Sequence, residues 1–139
     1  MPRASNPTRY VDMHNHTAAW QALPTSILNW LRRLTARTCR ILQVLNKIDL
    51  GWNGLGDDGM KAVAEMLKQN AALTHLDVSH NRVNPEGCRE LAEGIKNNHN
   101  LLSLEVGFNP MGVTTSAGGK LQHDPTGIVA LIDALVRVR

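Results

Sequence analysis

The segment that decides the fold is residues 73–100, which read LTHLDVSHNRVNPEGCRELAEGIKNNHN. Leu73, Leu76 and Val78 follow one another at spacings of three and two, and a run with helical spacing comes after Asn81. The same arrangement recurs 28 residues upstream and 28 residues downstream. The equivalent positions are Leu45, Ile48, Leu50 and Asn53 in the first unit and Leu101, Leu104, Val106 and Asn109 in the third. Internal repeats of this length predict a solenoid.

Each strand pattern leads into an amphipathic helix with apolar residues at positions i, i+3, i+4 and i+7. These apolar positions form a stripe along one side of each helix. In the third unit the stripe begins 12 residues later than the 28-residue repeat predicts. The stripes are Met60, Val63, Ala64 and Leu67, then Cys88, Leu91, Ala92 and Ile95, then Ile128, Leu131, Ile132 and Leu135. Because one strand and one helix cannot enclose their own apolar side, the units are expected to stack on one shared layer.

The pattern L-x-x-L-x-L-x-x-N-x-L followed by a helix resembles the leucine-rich repeat of the intracellular, ribonuclease-inhibitor type. The resemblance covers about 95 of the 139 residues, from Leu45 to the C-terminus. It implies an α/β right-handed solenoid with a curved parallel sheet on the concave side and helices on the convex side. It also implies a non-enzymatic protein that binds other proteins and needs no cofactor.

The predicted organisation has two parts. Residues 1–40 form an irregular basic arm with a capping helix at about 26–40, and residues 41–139 form the repeat domain. The repeats are residues 45–72, 73–100 and 101–139, with an insertion at 113–126. The helix at 26–40 is expected to cover the open end of the solenoid. A transit peptide, a membrane-surface helix and a partner-binding helix are the alternatives for this Arg-rich segment.

The charge is distributed unevenly between these parts. Residues 1–40 hold six Arg and one Asp, whereas residues 41–139 hold nine basic and eleven acidic residues. The repeats therefore carry no basic stripe, and no nucleic-acid partner is expected. No apolar run approaches the roughly 20 residues of a membrane span, and no signal sequence is recognisable. The sequence predicts a cytoplasmic protein without a membrane partner.

Neither the cysteines nor the histidine pair predicts a metal site. Cys88 falls on the inward stripe of a helix, and Cys39 lacks a second cysteine at zinc-site spacing. His14 and His16 lie two residues apart, a spacing that suits a strand-borne metal site, but an exposed polar arm is the preferred interpretation. Neither a structural disulfide nor a metal cofactor is expected.

Several local features are predicted around the second and third helices. Asn84 should cap the second helix, with Pro85 at its first position, and Arg89 should pair with Glu93 on the exposed face. Within the insertion at 113–126, the segment from Thr114 to Gly119 is small and polar and is predicted to be a mobile surface loop. The Gly-Gly-Lys sequence of the insertion is not a phosphate loop, because Thr114 and Leu121 stand where glycine and a hydroxyl residue are required. The strand at 101–106 should be an unpaired edge.

Three columns of outward-pointing residues should line the concave face. The first column is Lys47, His75 and Ser103, the second is Asp49, Asp77 and Glu105, and the third is Trp52, His80 and Phe108. An aromatic column beside an acidic one predicts a protein-recognition surface. The alternatives are that the acidic residues are part of the repeat pattern and that the rings pack against the turn after each strand. A fourth column, Asn53, Asn81 and Asn109, should bond turn backbone.

The sequence thus predicts a protein-interaction module or scaffold whose partner it does not name. His75 and His80 near Asp77 resemble part of a hydrolase site, but no serine in a strained turn accompanies them. The alternatives are a structural subunit of a large intracellular assembly, for example cytoskeletal or ciliary, and a regulator of a small GTPase. Self-association through the open ends of the solenoid is a further expectation.

Overall fold

A four-stranded parallel sheet runs through the part of the chain that the computed structural model describes, residues 45–137 and the backbone of residues 10–12. The strands lie in the order β1 to β4. They are β1 at Tyr10–Asp12, β2 at Lys47–Asp49, β3 at His75–Asp77 and β4 at Ser103–Glu105. Helix α1, Gly56–Gln69, connects β2 to β3, and helix α2, Pro85–Lys96, connects β3 to β4. Helix α3, Thr126–Arg137, is the last described element.

The strands stack in the register that the repeat predicts. Ile48 lies opposite Leu76, and Leu76 lies opposite Leu104. In β2 and β3 the middle residue is buried and the residue before it is exposed, as expected when one face of a strand packs on a core. The predicted equivalence of these three residues is therefore confirmed.

The core lies between the sheet and the helices. Met60, Val63 and Leu67 of α1 are fully buried, and so are Cys88, Leu91, Ala92 and Ile95 of α2. The two helices approach closely because Gly94 has no side chain. A Cβ atom built there would lie 2.6 Å from the Cα of Ala64. The helical stripes of the first two units are thus buried as predicted.

Within the arm predicted to be irregular at residues 1–40, the structure describes one short strand at Tyr10–Asp12. These residues form β1 and pair in parallel with β2, with Val11 opposite Ile48. Three residues are too few to show a period-2 pattern, and strand pairing of this kind depends on a neighbour that lies far along the chain. The predicted capping helix at about 26–40 lies outside the described residues, as do His14, His16 and Cys39.

The insertion at 113–126 contains a β-hairpin, and the segment predicted to be a mobile loop, Thr114 to Gly119, forms the end of its first strand and its turn. Strand β5, Val113–Thr115, pairs in antiparallel fashion with β6, Leu121–His123. Gly119 takes a positive φ of 75° in the turn, which glycine adopts without a steric penalty. The amide of Asp124 donates to the carbonyl of Gly112 at 2.8 Å and closes the base of the hairpin.

Helix α2 is capped by a residue of α1 rather than by the residue at its own N-cap position. Asn84 occupies the predicted cap position, but its side chain makes no capping hydrogen bond. Instead, Asp57 Oδ1 accepts hydrogen bonds from the amides of Asn84 at 2.9 Å and Gly87 at 3.1 Å. The carboxylate thereby satisfies amides that a helix N-terminus leaves unpaired. One residue thus joins two successive helices.

The predicted pair of Arg89 with Glu93 is also wrong. Arg89 Nη1 donates to Thr126 Oγ1 at 2.7 Å and lies 3.9 Å from a carboxylate oxygen of Asp124. Glu93 pairs with Lys96. Arg89 therefore connects α2 to the start of α3, a contact that depends on the insertion and does not follow from helical spacing.

Candidate protein-recognition surface

Asparagine side chains hold the turns that follow the strands. Asn81 Oδ1 accepts hydrogen bonds from the amides of Asn53 at 3.1 Å and Leu55 at 3.2 Å, while its Nδ2 donates to the carbonyl of Leu50 at 2.8 Å. Asn109 repeats this arrangement on the next unit, accepting from the amides of Asn81 and Val83. Because these bonds join neighbouring units, the predicted structural role of the asparagine column is confirmed.

The residue before each of these asparagines is aromatic, and the three rings stack on one another. The ring centroids of Trp52 and His80 are 3.8 Å apart at an interplanar angle of 15°. Those of His80 and Phe108 are 4.2 Å apart at 11°. We call this set the aromatic column. The sequence left open that each ring packs against the turn after its own strand. In the structure the rings pack against one another instead.

All three residues of the aromatic column have left-handed backbone conformations. Their φ angles are 60° at Trp52, 53° at His80 and 56° at Phe108. This conformation costs a non-glycine residue roughly 1–2 kcal/mol. The surrounding turn maintains it, because the amides of Trp52 and His80 still donate to the next unit, to the carbonyls of Ser79 and Gly107 at 3.1 Å each.

The aromatic column remains accessible to a partner. Phe108 is 82% exposed and Trp52 is 48% exposed, so the stack has one open end and an open side. Exposed rings that are already ordered lose little conformational entropy on binding, which is why aromatic residues are frequent at interface centres. The aromatic column is therefore a rigid apolar contact surface.

The acidic residues of the strands lie side by side. Asp49 lies opposite Asp77 and Asp77 lies opposite Glu105 in the strand register. We call these three residues the carboxylate column. Asp49 Oδ1 accepts a hydrogen bond from the amide of Gly51 at 2.9 Å, and Asp77 Oδ1 accepts one from the amide of Ser79 at 2.8 Å. The two aspartates therefore also stabilise the turns, a role that the repeat pattern alone explains.

The strand residues surround a shallow depression on the sheet. It has a volume of about 230 Å³ and is lined by Lys47, Asp49, His75, Asp77, Ser103 and Glu105, with Ile48 and Leu76 also in its lining. Sites for drug-sized ligands usually have volumes of about 300–1,000 Å³. The depression is smaller than a site of that kind.

The predicted site residues thus form two groups. Lys47, Asp49, His75, Asp77 and Glu105 surround the depression. Trp52, His80 and Phe108 form the stack, three residues further along each unit. His75 Nδ1 is hydrogen-bonded to the hydroxyl of Thr74 at 2.8 Å.

One residue was missed because it lies outside the recognised repeats. In the register of the sheet, Asp12 of β1 lies opposite Asp49. The signal was Val11-Asp12, an apolar residue followed by an acidic one, as in Ile48-Asp49. The sequence around it lacks the rest of the repeat, which is why the match was not seen.

The described residues supply little that would suit catalysis or metal binding. Burial raises the pKa of the Cys88 thiol to about 11, so this thiol stays protonated at neutral pH and is a poor nucleophile. No three acidic, histidine or cysteine side chains in the described part of the chain form a group that could hold a metal ion. No helix there has the length and apolar character needed to cross a membrane.

Two parts of the chain match a known repeat family. Residues 42–64 and 69–92 match the family model described as Leucine Rich repeat. The two matches support a leucine-rich repeat protein. They begin just before β2 and β3 and end within α1 and α2, so they cover the two units whose strands and helical stripes are best buried.

The family match has consequences for fold and function. Leucine-rich repeats imply an α/β repeat fold, they generally mediate protein–protein interaction, and they are typically non-enzymatic. These properties agree with a surface made of aligned columns rather than a catalytic cleft. No curated protein matches the chain.

Proposed function

We propose that this chain is a non-enzymatic protein-interaction module of the ribonuclease-inhibitor type, a short right-handed solenoid of three repeats. In this proposal it binds a partner protein through the concave face of its sheet. The aromatic column carries the proposal, because it presents three pre-ordered, stacked rings, each three residues after a member of the carboxylate column. Aromatic residues are enriched at the cores of protein interfaces, which are surrounded by a polar rim.

Curvature favours this face as the binding surface. Neighbouring strands are about 4.8 Å apart, whereas packed helices require about 8–10 Å. An array with strands on one side and helices on the other must therefore curve with the sheet inside. A concave sheet lets residues from several repeats contact the same partner segment, which is why all three strands are expected to contribute.

The chemistry of the two columns indicates a partner segment with basic side chains. Asp77 and Glu105 offer negative charge at the depression, and the faces of Trp52 and Phe108 can hold a guanidinium or ammonium group by cation–π contact. Arginine suits such a site best, because its planar head can stack on a ring while it donates to a carboxylate. Lys47 and His75 lie at one side of the depression and would orient an acidic group of the same segment.

Affinity capture with the full chain tests the proposal. The bait proteins are the wild type, a Trp52→Ala, Phe108→Ala double variant, and Leu121→Ala as a matched control. Leu121 is also an exposed apolar residue, but it lies in the hairpin rather than in the aromatic column. A protein captured by the wild type and the control but not by the double variant supports the proposal. Equal capture of the same proteins by all three would contradict it.

The charge of the site is tested once a captured partner is identified. Asp77→Asn keeps an oxygen that can accept the hydrogen bond from Ser79 but removes the negative charge. We expect this variant to fold normally and to bind the partner roughly tenfold more weakly in calorimetric titration, an effect of about 1.4 kcal/mol. Unchanged affinity would show that the carboxylate column serves the turns alone.

A further inference from the structure

The depression on the sheet runs across the strands rather than along one of them. Strands β2, β3 and β4 each contribute to it the two residues that flank their inward residue. In the strand register these residues form two columns, the first made of Lys47, His75 and Ser103 and the second being the carboxylate column. A partner segment lying along one strand would meet only one carboxylate, whereas a segment lying across the strands meets carboxylates along its whole length.

Two of these carboxylates can accept hydrogen bonds from such a segment. Oδ1 of Asp77 is occupied, because it accepts from the amide of Ser79 at 2.8 Å. Within the described part of the chain, neither Oδ2 of Asp77 nor the carboxylate of Glu105 has a hydrogen-bond or ion-pair partner. Glu105 is also exposed. Basic side chains of a partner are the complement to these groups, since hydrogen bonds between two charged groups are the stronger ones.

The spacing of the carboxylate column identifies the secondary structure of its complement. Neighbouring parallel strands lie about 4.8 Å apart, so three carboxylates in register span about 9.6 Å. In an α-helix the side chains at positions i, i+4 and i+7 lie on one face and span about 10.5 Å. In an extended chain the nearest three residues on one side, i, i+2 and i+4, span about 13 Å. The helix therefore matches the column to about 1 Å, whereas the extended chain is too long by about 3–4 Å.

Side chains of neighbouring units come together more closely than the strands themselves. In the aromatic column, which follows the same repeat, the ring centroids are 3.8 and 4.2 Å apart. The curvature proposed above has the same effect, because a concave sheet brings outward side chains closer together than their backbones. A shorter step between side chains leaves the helix a closer match than the extended chain.

We propose that the segment bound by the concave face is an α-helix that lies across β2, β3 and β4 and carries basic residues one turn apart along one face. These residues contact the carboxylate column, and arginine is preferred because it can donate two hydrogen bonds to one carboxylate. The first column lies about 6.6 Å from the carboxylate column along each strand, which is less than the diameter of a helix with its side chains, about 10–12 Å. The same helix therefore also contacts Lys47 and His75, which suit acidic residues on its adjoining face.

Binding of synthetic peptides to the full chain tests the helix. Three fluorescent peptides of equal net charge are compared, each about 14 residues long, because the four strands of the sheet span about ten helical residues. The striped peptide has arginines at i, i+4 and i+7, and the scattered peptide has them on three different faces. Both carry a lactam bridge that keeps them helical, since short free helices are marginal in water. The extended peptide has arginines at i, i+2 and i+4 and prolines that prevent a helix.

Fluorescence anisotropy at low ionic strength measures the three affinities. The striped peptide should bind at least about fivefold more tightly than either of the others, because only its arginines meet all three carboxylates. The preference should weaken as salt is added, since exposed charge pairs are screened. Equal affinity for the striped and scattered peptides, tighter binding of the extended peptide, or no binding of the striped peptide at about 1 mM would each overturn the proposal.

A double-mutant cycle tests the register of the helix on the column. Asp77→Asn should weaken binding of the striped peptide about two- to fivefold, because it removes the charge opposite the middle arginine. The same substitution should have less effect on a striped peptide whose middle arginine is replaced by glutamine, since that contact is then already lost. Asp58→Asn, in the first turn of α1, is the control and should leave both affinities unchanged. Equal effects of Asp77→Asn on the two peptides would overturn the proposed register.

This inference rests on the proposed function, because it names the kind of segment that the concave face binds. The two can nevertheless fail separately. Capture of a partner that depends on Trp52 and Phe108, together with equal binding of the striped and scattered peptides, would overturn the helix and leave the interaction module. Selective binding of the striped peptide, together with equal capture by the wild type and the double variant, would support the helix and overturn the role of the aromatic column.

Discussion

The second and third units of the array share one pattern but bury it to different degrees. In α2 the inward stripe is fully buried, whereas in α3 the equivalent Ile132 is 56% exposed and Leu135 is 42% exposed. The two helices differ in their neighbours, because α2 has a helix on each side and α3 has a described helix on one side only. A repeat pattern thus specifies which side chains can be buried, and the next unit determines whether they are.

The largest difference in stability between the two units is expected when an apolar side chain is truncated at equivalent positions of α2 and α3. Ile95→Ala should lower the free energy of unfolding by about 2–5 kcal/mol, because it leaves a cavity in a packed core. Leu135→Ala, at the equivalent position of α3, should cost no more than about 1 kcal/mol, because the side chain is already partly in water. Urea unfolding followed by circular dichroism, at concentrations below any self-association, measures both. Equal losses would show that α3 is as well covered as α2.

The next effect concerns the asparagine column. Asn81→Ala should cost about 1–3 kcal/mol, because the amides of Asn53 and Leu55 lose their acceptor and the amide of Leu55 is buried. Asn97→Ala is a suitable comparison, since its side chain bonds only the carbonyl of Glu93 at an exposed helix end. If the two substitutions had similar effects in the same unfolding experiment, the column would not hold the turns as described.

A smaller effect is expected at the link between the first two helices. Asp57→Ala should lower the free energy of unfolding by about 0.5–2 kcal/mol, because the amides of Asn84 and Gly87 lose their cap. Asp58→Ala is the matched control: Asp58 lies in the same first turn but has no such role in α2. Similar losses for both would indicate that only the helix dipole of α1 is involved.

The smallest effect should appear where α2 meets the start of α3. The hydrogen bond from Thr126 holds the pKa of Asp124 below its usual range, with a minor contribution from Arg89. A carboxyl group with a lowered pKa in the folded state adds stability above its unfolded pKa and loses it as the pH falls through the folded value. Asp124→Asn should therefore flatten the acid side of the stability profile slightly. A profile identical to that of the wild type would show that this carboxylate is not coupled to folding.

The sequence predicted the features that repeat and missed those that occur once. Residues 28 positions apart, such as Asn53 and Asn81, predict the strand register, the buried helical stripes and the asparagine hydrogen bonds. They do so because equivalent residues of each unit pack in the same way. The hairpin was missed because Thr114 to Gly119 is small and polar and gives no alternating signal. Strand β1 was missed because three residues carry too little pattern.

Contacts between units were the other source of error. The cap on α2 comes from Asp57, which lies 27 residues before Asn84, and a local rule assigns the cap to the nearest polar residue. Arg89 similarly contacts Thr126, 37 residues away, rather than Glu93. The columns of the candidate site were predicted because strand alternation is local, but stacking of the rings at left-handed positions depends on how neighbouring turns align.

The central claim is that the outward residues of β2, β3 and β4 and the aromatic column act as one binding surface. Amide hydrogen exchange of the full chain, with and without the partner identified by capture, measures this directly. Exchange should slow together in residues 47–52, 75–80 and 103–108 and remain unchanged in the exposed amides of the hairpin and the convex helices. Protection confined to residues 113–123 or to α1 and α2, with none along the strands, would contradict the claim.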